Sequence, residues 1–268
     1  MMELFSLTGK TAIVTGACGL IGRSHCHALA AAGAHVVVAD VAEADAKAFA
    51  KQLGDGHMGI GLDVASDLSV MEAKEAVLER FGKIDVLVNN AAINDMFENP
   101  TAALELSKFE NYPINLWKKS LDVNVTGVFL CSQVFGSAMA EAKSGSIINI
   151  ASTYGISAPD QKLYQNEKGE QTFYKSAAYP TTKGAVISFT RFLAAYWGEK
   201  NVRVNALSPG GVQNGQEEFF VKNYSSRTVL GRMANKNDYQ GAIVFLASEA
   251  SSYMTGANLV VDGGWTII

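Results

Sequence analysis

Residues 11–40 constrain this chain more than any other stretch. Thr11-Ala-Ile-Val-Thr15 is apolar and β-rich enough to be a short strand buried on both faces. Gly16-Ala-Cys-Gly19-Leu-Ile-Gly22 follows directly, and Leu20 to Ala32 then reads as an Ala-rich helix closed by Gly33. His35-Val-Val-Val-Ala-Asp40 supplies the next strand. Strand, helix and strand in about thirty residues form a βαβ unit, so the strands are parallel and the crossover right-handed. A glycine turn at the helix start leaves backbone amides unpaired. With the positive helix end, they face an anion of the size of a pyrophosphate. The glycines give a tight turn, close approach of backbone to ligand, and close packing of helix on strand.

Asp40 ends the second strand, where a carboxylate can accept hydrogen bonds from an adenosine ribose and would repel a 2′-phosphate. Val41 and Ala42 follow and no arginine does, so NAD is expected rather than NADP. The bland alternative is a cap on a helix starting near Glu43. Far downstream, Tyr179 and Lys183 stand four positions apart in Ala178-Tyr-Pro-Thr-Thr-Lys183. On a helix they share a face, about 6 Å apart along the axis. A lysine there favours the phenolate, which predicts a tyrosine pKa below its usual value of about 10 and a proton donor and acceptor near neutral pH. Alone, such a pair reads more readily as a solvated helix face.

Together with Leu62-Asp63-Val64, Asn89-Asn90-Ala91-Ala92, Val123-Asn124-Val125, Ile148 to Ser152, Ser208-Pro209-Gly210-Gly211 and Val261-Asp262-Gly263-Gly264, these pieces form an ordered series. Over essentially its whole length the chain resembles the classical short-chain dehydrogenase/reductases. The resemblance implies that Tyr179 gives or takes the proton of the reacting oxygen. Lys183 would tune Tyr179 and hold the nicotinamide ribose, Ser152 would bond the reacting oxygen, and Asn124 would hold a water leading to Lys183. A structural, backbone-bonded Asn124 is the alternative. Cofactor contacts are implied at Gly16, Gly19, Leu20, Ile21, Gly22, Asp40, Asp63, Val64, Asn90, Ala91, Pro209, Gly210, Val212 and Asn214, besides Tyr179 and Lys183. Asn90 reads equally as a structural tie. Three departures stand out. Leu20 occupies a usual glycine position, Ala92 replaces a glycine, and Asn214 stands where a threonine is common. Pyrophosphate binding is expected to survive with a slightly different turn.

The rest of the chain fits one α/β domain over residues 1–268: a doubly wound Rossmann fold on a seven-stranded parallel sheet. Helices are predicted near Glu43–Leu53, Ser66–Phe81, Leu116–Ala140, Tyr179–Trp197 and Lys236–Ser248. Further strands are predicted near Met58–Leu62, Ile84–Val88, Ser146–Ala151, Val202–Leu207 and Asn258–Val261. Two segments exceed ordinary connections, inserts at 93–113 and 154–175, and the resemblance implies a substrate lid at 213–229. They carry the expected substrate contacts: Asn94 (with Asp95, Phe97, Glu98 and Asn99 nearby), Tyr154, Tyr174 and Phe219, and Arg227 or Lys222 for an anionic group. Tyrosines mixed with amides and carboxylates suit a polyhydroxylated ligand, whereas a fatty-acyl or steroid pocket should be more uniformly apolar.

A net charge of −4 gives no electrostatic footprint for nucleic acid. The odd count of three cysteines and four scattered histidines point to reduced thiols in a cytoplasmic protein without catalytic metal. Cys18, inside the phosphate loop, reads as a small filler or a reactive thiol. No run of about 20 apolar residues and no signal peptide is seen. The favoured expectation is an NAD-dependent dehydrogenase or reductase of a sugar-derived alcohol or ketone. The alternatives are an NADPH-dependent 3-oxoacyl thioester reductase and a non-enzymatic NAD-binding sensor or scaffold. The resemblance also implies a homotetramer, with the tail Met254–Ile268 as a subunit contact. Tyr154-Gly-Ile-Ser-Ala-Pro-Asp160 and the stretch from Tyr224-Ser-Ser-Arg227 also resemble bacterial surface-sugar and flagellin-glycan oxidoreductases, which implies the same substrate class.

Overall fold

The computed structural model describes residues 2–94 and 100–268. Seven strands form one parallel sheet: β1 (Thr11–Thr15), β2 (His35–Asp40), β3 (Met58–Gly61), β4 (Val86–Asn89), β5 (Gly145–Ile150), β6 (Val202–Pro209) and β7 (Asn258–Val261). Their spatial order is β3-β2-β1-β4-β5-β6-β7. The order reverses between β1 and β4, the crevice at which doubly wound sheets bind ligands.

Alternation along the strands divides the core into two layers. Val14, Val36, Val38, Val86, Val88, Ile148 and Leu207 pack with α1 (Leu20–Ala31) and α9 (Gln240–Ala247), where Leu29, Ile243 and Leu246 are fully buried. Ile13, Val37, Leu87, Ile147 and Val204 face the opposite layer. That layer is built by α3 (Asp67–Phe81), α6 (Gly127–Ala142) and α7 (Ala178–Trp197), through Val70, Phe135, Met139 and Trp197. Helix α2 (Glu43–Leu53) covers the β2–β3 edge with Phe49.

At the amino end of the sheet Asp85 joins three strands. Its carboxylate accepts from the Thr11 amide (2.8 Å) and meets Lys10 and Lys83 at 3.5 and 3.3 Å. Its backbone bonds Thr11 and the Ser146 amide. This use of Asp85 explains why β4 starts at Val86 rather than at Ile84.

The predicted helix from Leu116 to Ala140 is really α5 (Ile114–Leu121), a π turn over Asp122–Thr126, and α6. By length and mean hydropathy alone the span Ile114–Ala142 is long and apolar enough to cross a bilayer, although Lys118, Lys119 and Asp122 interrupt its apolar residues. In the fold its apolar side, including Val128, Cys131, Phe135 and Met139, is buried against the sheet. The predicted helix at Lys236 begins only at Gln240, because Asp238 accepts from the Asn235 amide (2.8 Å) and from Arg232 (2.6 Å) to shape a turn. Two short helices were not anticipated: α4 (Pro100–Ser107) and α8 (Glu218–Ser226), the second inside the lid.

Candidate active site

The carboxyl ends of β1, β2, β4, β5 and β6 open into a cleft of about 920 Å³. At its floor the glycine turn is sterically required. Gly16 has φ +59°, and a Cβ there would stand 2.7 Å from Ala91 Cα. One on Gly22 would stand 2.4 Å from the Gly16 carbonyl oxygen. Gly19 caps α1 without a side-chain acceptor, so the amides of the first turn face the cleft without intrahelical partners. Leu20, in place of the usual glycine, lines the cleft and leaves this geometry intact. Asn90 Nδ2 donates to the carbonyls of Thr15 (2.8 Å) and Gly16 (2.9 Å), and Thr15 Oγ1 accepts from the Asn90 and Ala91 amides (3.0 Å each). Asn90 therefore acts as a structural tie on the loop.

Asp40 is turned into the same loop. Oδ2 accepts from the Cys18 amide (2.9 Å), and Oδ1 accepts from the Ala42 amide (3.3 Å). Asp45 lines the cleft beside it. Arg23 is engaged elsewhere: Nε donates to the Cys18 carbonyl (3.0 Å) and its guanidinium lies 4.5 Å from the Phe49 ring centre. Asp63, Val64, Ala91, Pro209, Val212 and Asn214 also line the cleft. The Val212 carbonyl is taken by Gln216 Nε2 (2.8 Å), and Asn214 is exposed, its amide donating to Gln216 Oε1 (2.6 Å). Amide cradle and cleft volume together fit a nicotinamide dinucleotide.

At the inner end Tyr179, from the first turn of α7, meets Ser152, two residues past β5. Burial pushes the Tyr179 phenol up, and its hydrogen bond to Ser152 pulls the other way. The expected lowering by Lys183 is therefore not the dominant effect. Lys183 lies 5.6 Å from the Tyr179 ring centre and donates to the Ile150 carbonyl (2.7 Å). Burial brings its own pKa down to about 8. Asn124 sits in the π turn of the long helix, a distortion frequent at functional sites. Its side chain is fully engaged: Oδ1 accepts from the Ile93 amide (2.8 Å), while Nδ2 donates to the Ile93 carbonyl (2.9 Å) and Thr182 Oγ1 (3.2 Å). The side chain so anchors the backbone beside the cleft.

A second cavity of about 260 Å³ opens from Tyr179 under the lid, lined by Asn94, Ser152, Thr153, Tyr154, Tyr164, Lys175, Phe220, Tyr224 and Met233. Two of the expected substrate residues, Asn94 and Tyr154, belong to it. Phe219 does not line it. Helical phase turns Phe220 and Tyr224, four apart, inward instead. Tyr174 lines a separate cleft with Phe109 and Pro159, because its amide is held by Ser107 Oγ (3.0 Å). Gly210 and Gly211 contribute backbone, and Tyr224 Oη accepts from the Gly211 amide (2.6 Å). Arg227 is paired with Asp160 and lies 5.4 Å from the Trp265 ring centre, so it ties lid to insert rather than facing a ligand. Lys222 is exposed. Asp95, Phe97, Glu98 and Asn99 lie outside the described residues.

Thr153, Lys175 and Met233 are cavity residues that sequence reasoning missed. Lys175 had a readable signal, since it precedes Tyr179 by the same four positions by which Lys183 follows it.

Residues 16–266 match the family model described as Enoyl-(Acyl carrier protein) reductase. The chain is 36% identical over 271 residues to D-threitol dehydrogenase of Mycolicibacterium smegmatis, covering 98% of this chain and 95% of the relative. It is also 36% identical to 3-alpha-(or 20-beta)-hydroxysteroid dehydrogenase of Mycobacterium tuberculosis, covering 96% and 90%. A gluconate 5-dehydrogenase from Burkholderia cenocepacia, solved in complex with NADP and tartrate, superimposes with a TM-score of 0.86 at 31% identity, covering 100% and 99%. With the sheet order and site described above, these likenesses show that the chain belongs to the classical short-chain dehydrogenase/reductases, oxidoreductases acting on CH–OH groups.

Proposed function

We propose that this protein interconverts a secondary alcohol and a ketone of a polar, sugar-derived substrate, with NAD(H) as cofactor and Tyr179 as general acid and base. The observation that carries the reading is the junction of the two cavities at Tyr179, which lines both. When bound, the nicotinamide supplies or accepts the hydride. In reduction the Tyr179 hydroxyl gives its proton to the oxygen of the substrate, and in oxidation it takes the proton back. Ser152, bonded to Tyr179, holds that oxygen in place. Lys183, charged below about pH 8, favours the phenolate in the step where Tyr179 has lost its proton.

Asp40 and Asp45 at the adenosine end, with Arg23 engaged by Cys18 and Phe49, support NAD over NADP. Among the described residues the cations lining the cleft, Lys119 and Lys183, come from α5 and α7 rather than from the β2 end. Tyrosine hydroxyls and amides around a small cavity support a hydroxylated substrate, as does the threitol activity named for one relative. Assembly as a homotetramer is supported by the exposed aromatic row on α7, where Phe192 (61% exposed) stacks between Phe189 and Tyr196 (68% exposed). The free Cys18, Cys26 and Cys131 fit a reducing cytoplasm.

The test is reduction of NAD, with NADP in parallel, against polyols, sugars, sugar acids and hydroxyacyl thioesters. Turnover of a sugar-derived alcohol with NAD, falling about 10²- to 10⁴-fold in Tyr179→Phe, is expected. Preference for NADPH with oxoacyl thioesters overturns both the substrate and the cofactor reading.

A further inference from the structure

We infer that Lys175 makes this site selective for an alcohol or ketone that also bears a carboxylate, as a sugar acid does. The inference rests on the dehydrogenase reading above and narrows its substrate. Lys175 is 9% exposed and lines the small cavity. Its Nζ lies 4.6 Å from the centre of the Tyr179 ring and donates to Asn94 Oδ1, a residue that lines both cavities. The main chain is gripped by one insert residue. The Lys175 amide donates to Gln161 Oε1 (2.8 Å), and Gln161 Nε2 donates to the Lys175 carbonyl (3.0 Å). Gln161 is fixed in turn by Gln171 Nε2 at its own carbonyl (2.8 Å). The insert so delivers an ammonium to the reacting end of the cavity.

An ammonium has three donors and a compact charge, so a carboxylate would join the contacts Lys175 already makes. Tyr154, Tyr164, Phe220 and Met233 wall the cavity with rings and a thioether. In such surroundings a charge-assisted hydrogen bond is stronger than in water. None of the described residues lining this cavity is Asp or Glu. A carboxylate entering there meets attraction without like charge from that wall, while a neutral polyol gains only a hydrogen bond.

The experiment compares kcat/KM for four- to six-carbon aldonates with the alditols of matching configuration, in wild type, Lys175→Met and Lys175→Arg. Wild type is expected to favour the acids. Lys175→Met should shrink the acid-to-alditol ratio roughly 10- to 100-fold, the worth of one charged hydrogen bond. The loss should fall mainly on KM, and Lys175→Arg should restore part of the ratio. An equal fall on acids and alditols would show that Lys175 acts on Tyr179 instead and overturn the inference, as would a wild-type preference for alditols. Absence of NAD(P)-linked turnover with every acid and alditol would sink the sugar-derived substrate reading underneath. Calorimetric titration of gluconate into wild type and Lys175→Met then judges Lys175 by itself, and equal affinities refute its role.

Discussion

Lys183→Met removes a charge that the folded chain holds at a loss. The ammonium is 3% exposed, and burial brings its pKa from 10.5 to about 8. At 1.36 kcal/mol per pH unit, that fall corresponds to about 3 kcal/mol of destabilisation. Because the folded pKa is the lower one, the unfolded chain binds the extra proton between these values. The penalty is then present in full below about pH 8, shrinks as pH rises, and is gone above 10.5. Methionine keeps most of the stem volume but leaves the Ile150 carbonyl without its 2.7 Å donor, a loss of about 1–2 kcal/mol. The cofactor-free variant should therefore be about 1–2 kcal/mol more stable than wild type near pH 6.5, an advantage that vanishes by about pH 10. Urea unfolding followed by tryptophan fluorescence at several pH values measures the difference. A variant less stable near pH 6.5, or a difference that stays flat as pH rises, refutes the reasoning. Turnover should fall in the same variant, so the lysine is kept for chemistry against stability.

Gly22→Ala places a Cβ 2.4 Å from the Gly16 oxygen and 2.9 Å from Ala17 Cα, both backbone atoms that cannot swing aside. It should lower stability by about 1–3 kcal/mol in denaturant unfolding and weaken NADH binding in fluorescence titration. Arg227→Met cuts the pairing with Asp160 between lid and insert. Its KM for the alcohol should rise several-fold while kcat changes less, and proteolysis within 217–227 should speed up. Tyr224→Phe keeps the stacking on Trp265 but removes the hydroxyl that holds the Gly211 amide. It should lose about 1 kcal/mol of stability and weaken NADH binding in titration.

The sheet and the reaction centre were readable because each rests on local pattern. β-Branched runs mark strands buried on both faces, glycines mark the phosphate-loop turn that a Cβ would block, and Tyr179 and Lys183 share a helix face. Boundaries failed where a carboxylate holds backbone, across the sheet at Asp85 beside β4 and within a local turn at Asp238 before α9. Asn124 was found, but its partner Ile93 stands 31 positions away, so its bonding could not be read. The substrate wall was least legible. Which of Phe219 and Phe220 turns inward depends on where α8 starts, and no cap residue marks that start in the sequence. Arg227 looked available until the fold brought Asp160 to it.

The Asp85 clamp has a consequence for diversification. It holds the starts of β1, β4 and β5, and Lys10 adds β2 by accepting from the His35 amide (2.8 Å). Strand register is thereby set at the edge opposite the two inserts and the lid. Segments such as 154–175 can be exchanged between relatives as cassettes, because the alignment of the strands does not depend on them. Selection can then redraw what the enzyme accepts while the register of the strands stays fixed.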